Sequence, residues 1–299
     1  MKPWISLKES FDLGLKHKKD NLEAYKVTIG TAAAIGLLGT VIDLLATGGD
    51  SSNIDALISM LVIGIIPYLL AIMAFFVLGL MQKNLGLAAA DGRTMTWREA
   101  LPSWSMFVQI GVAASLVGIV TMLPLCLIPF SFVLLGGHLA WFTSTAIVTA
   151  PTAEQIAVAL KMAAFAVLVV LPITIYLSLG YLFYTYALLE GKRGFMESLE
   201  LSWRMSAGRR LNIFWVTSVL GLFASLSTIP GSMLSGAGSS VAAHNPAIIL
   251  TSALLQTALN IWVSLMIVPV AQAALAHFYR AVKNAHESES KASVVVSAN

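Results

Sequence analysis

The side chains able to do chemistry in this sequence are few, and they fall into three groups. Gln256, Asn260 and Ser264 recur at every fourth position, and Gln272 follows two turns later. On a helix they would form one polar stripe that does not face lipid. Such a stripe either hydrogen-bonds neighbouring helices, at about 0.6–2 kcal/mol for each contact, or lines a cavity for a polar solute or a lipid headgroup. The second group is Tyr176, Tyr181, Tyr184 and Tyr186, followed by Glu190, Lys192 and Arg193. Tyrosines at the end of an apolar run make an interfacial belt. With the three charges they could instead shape a headgroup site. The third group is cationic: Lys16, Lys18 and Lys19, and the pair Arg209 and Arg210. Each attracts anionic headgroups by about 1 kcal/mol near a membrane surface.

Other chemistry is harder to build. His17, His138, His244, His277 and His286 stand apart, none at ligand spacing from another His, Cys or acid, as a zinc site would need. Cys126 is the single cysteine, which excludes an internal disulfide and a cysteine-rich metal site. No nucleophile elbow, phosphate loop, HExxH or paired-carboxylate motif occurs. The sequence therefore predicts no enzyme, no catalytic residue, no cofactor and no metal. Asp43 and Lys161 lie in or beside apolar runs. Both can reach the interface, Lys161 by extending its aliphatic stem, so neither predicts a coupling charge at mid-membrane.

These residues are set in a chain that needs lipid as solvent. It is 58% hydrophobic and 11% charged, against roughly 25% charged in soluble domains. Apolar runs at about 27–46, 56–82, 105–123, 156–189, 211–229 and 247–279 predict six transmembrane helices. Each can span about 30 Å of hydrocarbon at about 1.5 Å per residue. Of the 18 Lys and Arg residues, all but Lys161 fall in 1–26, 83–104, 189–210 and 280–299. Basic loops stay on the cytoplasmic side, which predicts three hairpins with both termini cytoplasmic. The same bias accounts for the net charge of +3, so no nucleic-acid partner is implied. The first 26 residues lack an apolar core, so no cleavable signal is expected. The polar stretch 285–299 is predicted to be a disordered cytoplasmic tail after a single membrane domain, 1–284.

Residues 124–150 are apolar enough for a further helix, yet basic loops on both sides require an even number of crossings between them. Pro124 and Pro129 break the start of this stretch, and Gly136–Gly137 divides it. It is predicted to be a re-entrant or interfacial segment on the outer side, tolerated where protein or a cavity covers its backbone.

A loose threefold repeat runs through the chain, at about 5–90, 91–193 and 194–284. Ser6 to Phe11, Thr96 to Leu101 and Gly194 to Leu199 each place an acid at the fourth position: Glu9, Glu99 and Glu197. Ser6 with Glu9 and Thr96 with Glu99 are capping boxes, in which hydroxyl and carboxylate satisfy each other's backbone amides. The third copy keeps the acid behind a glycine. Each segment predicts a short amphipathic helix in the cytoplasmic interface, with Trp4, Trp97, Trp104 and Trp203 at headgroup level. The second long helix of each hairpin carries a proline, Pro67, Pro172 or Pro269, which predicts a kink. Gly30 with Ala34, and Gly111 with Ser115, are small-residue pairs that predict close helix contacts.

The second half resembles a group of bacterial integral membrane proteins, the YciC-like family, related to the membrane domain found beside some glycerophosphodiester phosphodiesterases. The resemblance is carried by Leu171-Pro172 with Tyr176-Leu177, by Glu190-Gly191-Lys192-Arg193-Gly194, by Ser198 to Gly208 including Ser202, Trp203 and Ser206, and by Pro269 with Tyr279-Arg280. It covers about residues 165–283. Two positions depart from the pattern: Ile173 replaces the glycine of a Pro-Gly pair, and Ser206-Ala207-Gly208 stands for a hydroxyl residue before Lys-Gly. The resemblance implies a six-helix bundle in a bacterial inner membrane with cytoplasmic termini. It implies no established activity, and the phosphodiesterase domain does not lie within this chain.

Together these readings predict an all-α polytopic bundle that binds membrane lipids, anionic ones on its cytoplasmic face, or a membrane-protein partner or second copy of itself. A transporter or channel for a small or amphipathic solute is the alternative.

Overall fold

The computed structural model describes residues 7–17, 19, 21–47, 54–128, 153–191, 193–225 and 246–297. Regular structure among them is entirely helical: α1 (Leu7–His17), α2 (Leu22–Thr47), α3 (Ile54–Ala90), α4 (Trp104–Met122), α5 (Ala153–Phe165), α6 (Leu171–Gly180), α7 (Tyr184–Leu189), α8 (Phe195–Ser206), α9 (Arg210–Ser225) and α10 (Pro246–Ser297). Among the described residues, four stretches are long and apolar enough to cross a membrane: Leu69–Ala90, Trp104–Cys126, Ile156–Leu189 and Thr251–Ala292. The chain is a multi-span membrane helix bundle. It divides into two compact units, residues 1–107 with 214–299, and residues 108–213.

In the first unit α10 packs on α1, α2 and α3, and α2 packs on α3. Small residues allow the close approach. A Cβ at Gly86 would lie 2.6 Å from the Gln272 carbonyl oxygen, and one at Gly14 would lie 2.5 Å from that of Val270. Ala271, Ala273, Ala274 and Ala276 continue this buried face of α10. Tyr25, Leu78, Met81 and Leu85 form a core on which Ile261, Leu265 and Val268 pack. Leu69, Leu70 and Ile72 of α3 and Leu254, Leu255 and Trp262 of α10 are exposed. In water such a surface would be a liability; in a bilayer it is the lipid-facing wall.

The turn after α3 is tied down by polar contacts. Arg280 pairs with Asp91 at 2.8 Å, and Arg93 joins the same carboxylate at 2.9 Å. Asn84 donates from Nδ2 to the Ala100 carbonyl at 3.0 Å. The Thr96–Glu99 capping box forms as predicted: the Thr96 N–H and hydroxyl donate to Glu99 Oε2 at 2.8 and 3.0 Å, and the Glu99 N–H donates to Thr96 Oγ1 at 3.4 Å. It closes a single turn over 97–100, not an amphipathic helix. Pro102 explains this, because the residue before a proline is disfavoured in the α region.

In the second unit the run predicted as one kinked helix over 156–189 is built in pieces. A π-helical stretch, Ala166–Val170, precedes Pro172 and joins α5 to α6. The π-turn stands where the kink is expected, at a point where proline removes a donor and crowds the preceding turn. Thr174 and Ser178 return their hydroxyls to the Val170 and Thr174 carbonyls at 2.9 and 2.8 Å, so neither side chain leaves a donor unmet.

Two other expectations meet the structure differently. α10 runs to Ser297, through the stretch predicted to be disordered. A helix already anchored extends without a new nucleation step, and the Glu287–Lys291 spacing favours it. Among the described residues, Gly30 and Gly111 have nothing within contact distance of an added Cβ, so neither is a close-contact point there. Ser115 instead donates to the Gly111 carbonyl of its own helix at 2.9 Å. The re-entrant segment 124–150 and the Ser6 cap lie largely outside the described residues, although Leu123–Cys126 does form the 3-10 turn that Pro124 favours.

Candidate functional site

Around α8 the second unit gathers aromatic rings, charges and an apolar wall. α8 starts at Gly194 and packs on α6 and α7. Its inner face is Ser198, Leu199, Ser202, Met205 and Ser206, all buried. Ser202 repairs the break between α6 and α7. Its Oγ donates to the Gly180 carbonyl at 3.0 Å and accepts the Phe183 N–H at 3.1 Å. Ser206 adds a longer contact to the same carbonyl at 3.4 Å. Backbone groups freed by the break are thereby satisfied away from water.

Gly180 has no side chain because the Trp203 ring occupies that space. Trp203 lies 5.1 Å from the Tyr181 ring and 6.1 Å, edge-on, from Tyr176. The Arg210 guanidinium sits 3.7 Å from the Tyr176 ring centre and 4.0 Å from that of Trp203. Stacking of this kind is worth about 0.5–2 kcal/mol per ring, according to desolvation. Arg210 Nε and Nη1 are buried and have no hydrogen-bond partner among the described residues. The guanidinium therefore ties the start of α9 to α6 and α8 through its faces.

Beside Trp203 opens a pocket of about 470 Å³, between α4 and α8. Leu116, Val117 and Val120 line it from α4, and Met196, Glu197, Leu199, Glu200 and Trp203 from α8, with Tyr181 adjoining. Its volume falls in the range of small-molecule sites, roughly 300–1,000 Å³. Glu200 is paired with Arg204 at 2.6 Å, both side chains being well exposed. Glu197 is exposed and has no ion-pair partner among the described residues.

Of the sequence-derived candidates, Tyr176 and Arg210 are brought together, joined by Trp203. Tyr184 and Glu190 are half-buried, Arg193 is exposed, and none of them lines the pocket. Arg209 donates from Nη1 to the Met205 carbonyl at 3.3 Å. Lys192 lies outside the described residues. On α10, Gln256, Asn260 and Ser264 are half-buried. Asn260 Oδ1 and Gln272 Oε1 are buried without a partner among the described residues. Gln272 sits over Gly86 of α3. At 3.6 residues per turn it is about 120° round from Asn260, so it leaves the stripe and joins the face of Ile261, Leu265 and Val268.

The sequence reading missed Ser202, Gly180, Glu200 and the α4 wall. The signal for Ser202 and Ser206 was present, since their spacing of four on an amphipathic helix puts both hydroxyls on one face. Nothing local marks Leu116, Val117 or Val120. Among the described residues no three His, Cys, Asp or Glu side chains converge on a metal position.

Comparison with known proteins returns no match: no family model, no curated relative and no solved structure. The fold alone defines the class, a multi-span membrane protein of helices with an amphipathic pocket in its second unit.

Proposed function

We propose that this is a non-enzymatic membrane protein that binds lipid through the α4–α8 pocket, in an accessory or scaffolding role. The observation that carries the reading is the composition of the pocket. Leu116, Val117, Val120 and Leu199 offer surface to an alkyl chain, while Glu197, Glu200, Tyr181 and Trp203 offer contacts to a polar head. A molecule with both parts, in a protein surrounded by lipid, is most simply a lipid.

The proposal includes a bacterial inner-membrane location, six spans, cytoplasmic termini and kinship with the YciC-like group. The confinement of basic residues to alternate loops supports the topology. The threefold repeat is supported by Ser10, Ala100 and Ser198, which hold the same place in the three acidic motifs and are each fully buried. A transporter for a small or amphipathic solute is the second reading, favoured by the oxygens of Asn260 and Gln272, which are buried without a partner among the described residues.

Native mass spectrometry of the gently extracted protein tests the first reading. A discrete retained lipid, lost on Val117→Trp, is the expected result. Only bulk lipid that exchanges freely, together with solute flux in liposomes, would favour the transporter.

A further inference from the structure

We infer that the lipid taken by the α4–α8 pocket is one whose headgroup ends in a positively charged amine, as in a phosphoethanolamine head. This rests on the lipid-binding reading and narrows it. Among the described residues, every charged side chain lining the pocket is a carboxylate, Glu197 or Glu200. Glu200 already holds Arg204 at 2.6 Å, which leaves Glu197 as the carboxylate without a cation among the described residues. Met196 and Leu199 line the pocket beside it and offer apolar surface to the alkyl part of the same molecule.

The rings point the same way. Tyr181 and Trp203 line the pocket beside the carboxylates, and ring faces attract ammonium groups. The cation nearest to these rings is Arg210, but it does not line the pocket and is stacked between Tyr176 and Trp203. Among the described residues, an anionic head would therefore meet two carboxylates and no lining cation.

The experiment compares retention of phosphatidylethanolamine and phosphatidylglycerol with identical chains, offered to the full-length protein and followed by native mass spectrometry. Wild type should retain the ethanolamine lipid preferentially by about threefold to fivefold, the size of one exposed charge pair. Glu197→Gln should bring the ratio close to one, and Glu197→Asp should keep part of it. Glu197 is exposed, so the neutral variant should fold. Equal retention by wild type, preference for the glycerol lipid, or a ratio unmoved by Glu197→Gln would each overturn the inference while leaving lipid binding intact. No retention of either lipid would remove both.

Discussion

Asn21 accepts the Met95 N–H at 2.7 Å, a contact between residues 74 positions apart. Its Nδ2 donates to the Leu85 and Arg93 carbonyls at 3.3 and 3.5 Å. One side chain, 4% exposed, thus closes the turn at the end of α3 against the start of α2. An amide is the group that can do this, because it accepts and donates from one end.

Asn21→Ala should therefore destabilise the first unit by about 1–3 kcal/mol, since it strands a buried donor and two acceptors. Asn21→Asp keeps the acceptor for Met95 but loses both donations, and places a charge in a buried site. It should be at least as harmful. Thermal unfolding in detergent measures both, and an unchanged midpoint for the alanine variant would show that water takes over the bonds.

Gly180 and Ser202 give a second, independent prediction. A methyl at Gly180 meets the Trp203 ring, and overpacking of this kind costs about 1–3 kcal/mol. Gly180→Ala should displace Trp203, loosen the Arg210 stack, and alter the pocket of which Trp203 is a wall. Trp203→Phe removes the wider ring, so the double variant should recover much of the loss. Ser202→Ala should destabilise by a similar amount through the unpaired Phe183 N–H, and Ser202→Thr should be milder. Loss of stability that is additive in Gly180→Ala with Trp203→Phe would contradict the packing argument.

The Glu99 carboxyl lies below its ordinary value of 4.5 because it accepts the Thr96 N–H and, secondarily, the Thr96 hydroxyl. A carboxylate held down in the folded state contributes stability that is present above its unfolded value and lost as pH falls through the folded one. The capping box should thus persist at neutral pH and open in acid, below 4.5. Titration of the Glu99 side chain by NMR should show the depressed value. Thr96→Val removes the hydroxyl but not the N–H, so it should raise the value only in part.

How much of this was legible depended on the distance over which each feature is encoded. The Thr96–Glu99 box needs four residues and was visible as written. The membrane class follows from composition, because apolar surface on this scale has no other solvent. The Ser202–Gly180 contact spans 22 positions, and the choice of which hydroxyl meets which carbonyl is made by tertiary packing. The π-turn before Pro172 is likewise one of several ways to accommodate a proline, and local sequence does not choose among them. Gln272 sits a whole number of residues but not of turns from the stripe, about 120° round from Asn260 at 3.6 residues per turn, and its place over Gly86 puts it with the face that packs on α3.

Asn260 separates the two functional readings by stability as well as by flux. Its Oδ1 is buried with no partner among the described residues. If α10 only packs there, Asn260→Leu exchanges a desolvated acceptor for an apolar group of similar size. Such a change is nearly neutral or stabilising, by up to about 1–3 kcal/mol. If Asn260 instead faces a hydrated path, its oxygen is bonded to water and the leucine would expose apolar surface to that water. The variant would then gain no stability and lose flux. Lipid binding predicts the first result, a midpoint equal to or above wild type with retention of lipid unchanged, because Asn260 is not among the residues lining the α4–α8 pocket. A lower midpoint with reduced solute uptake in liposomes would move the assignment to a transporter.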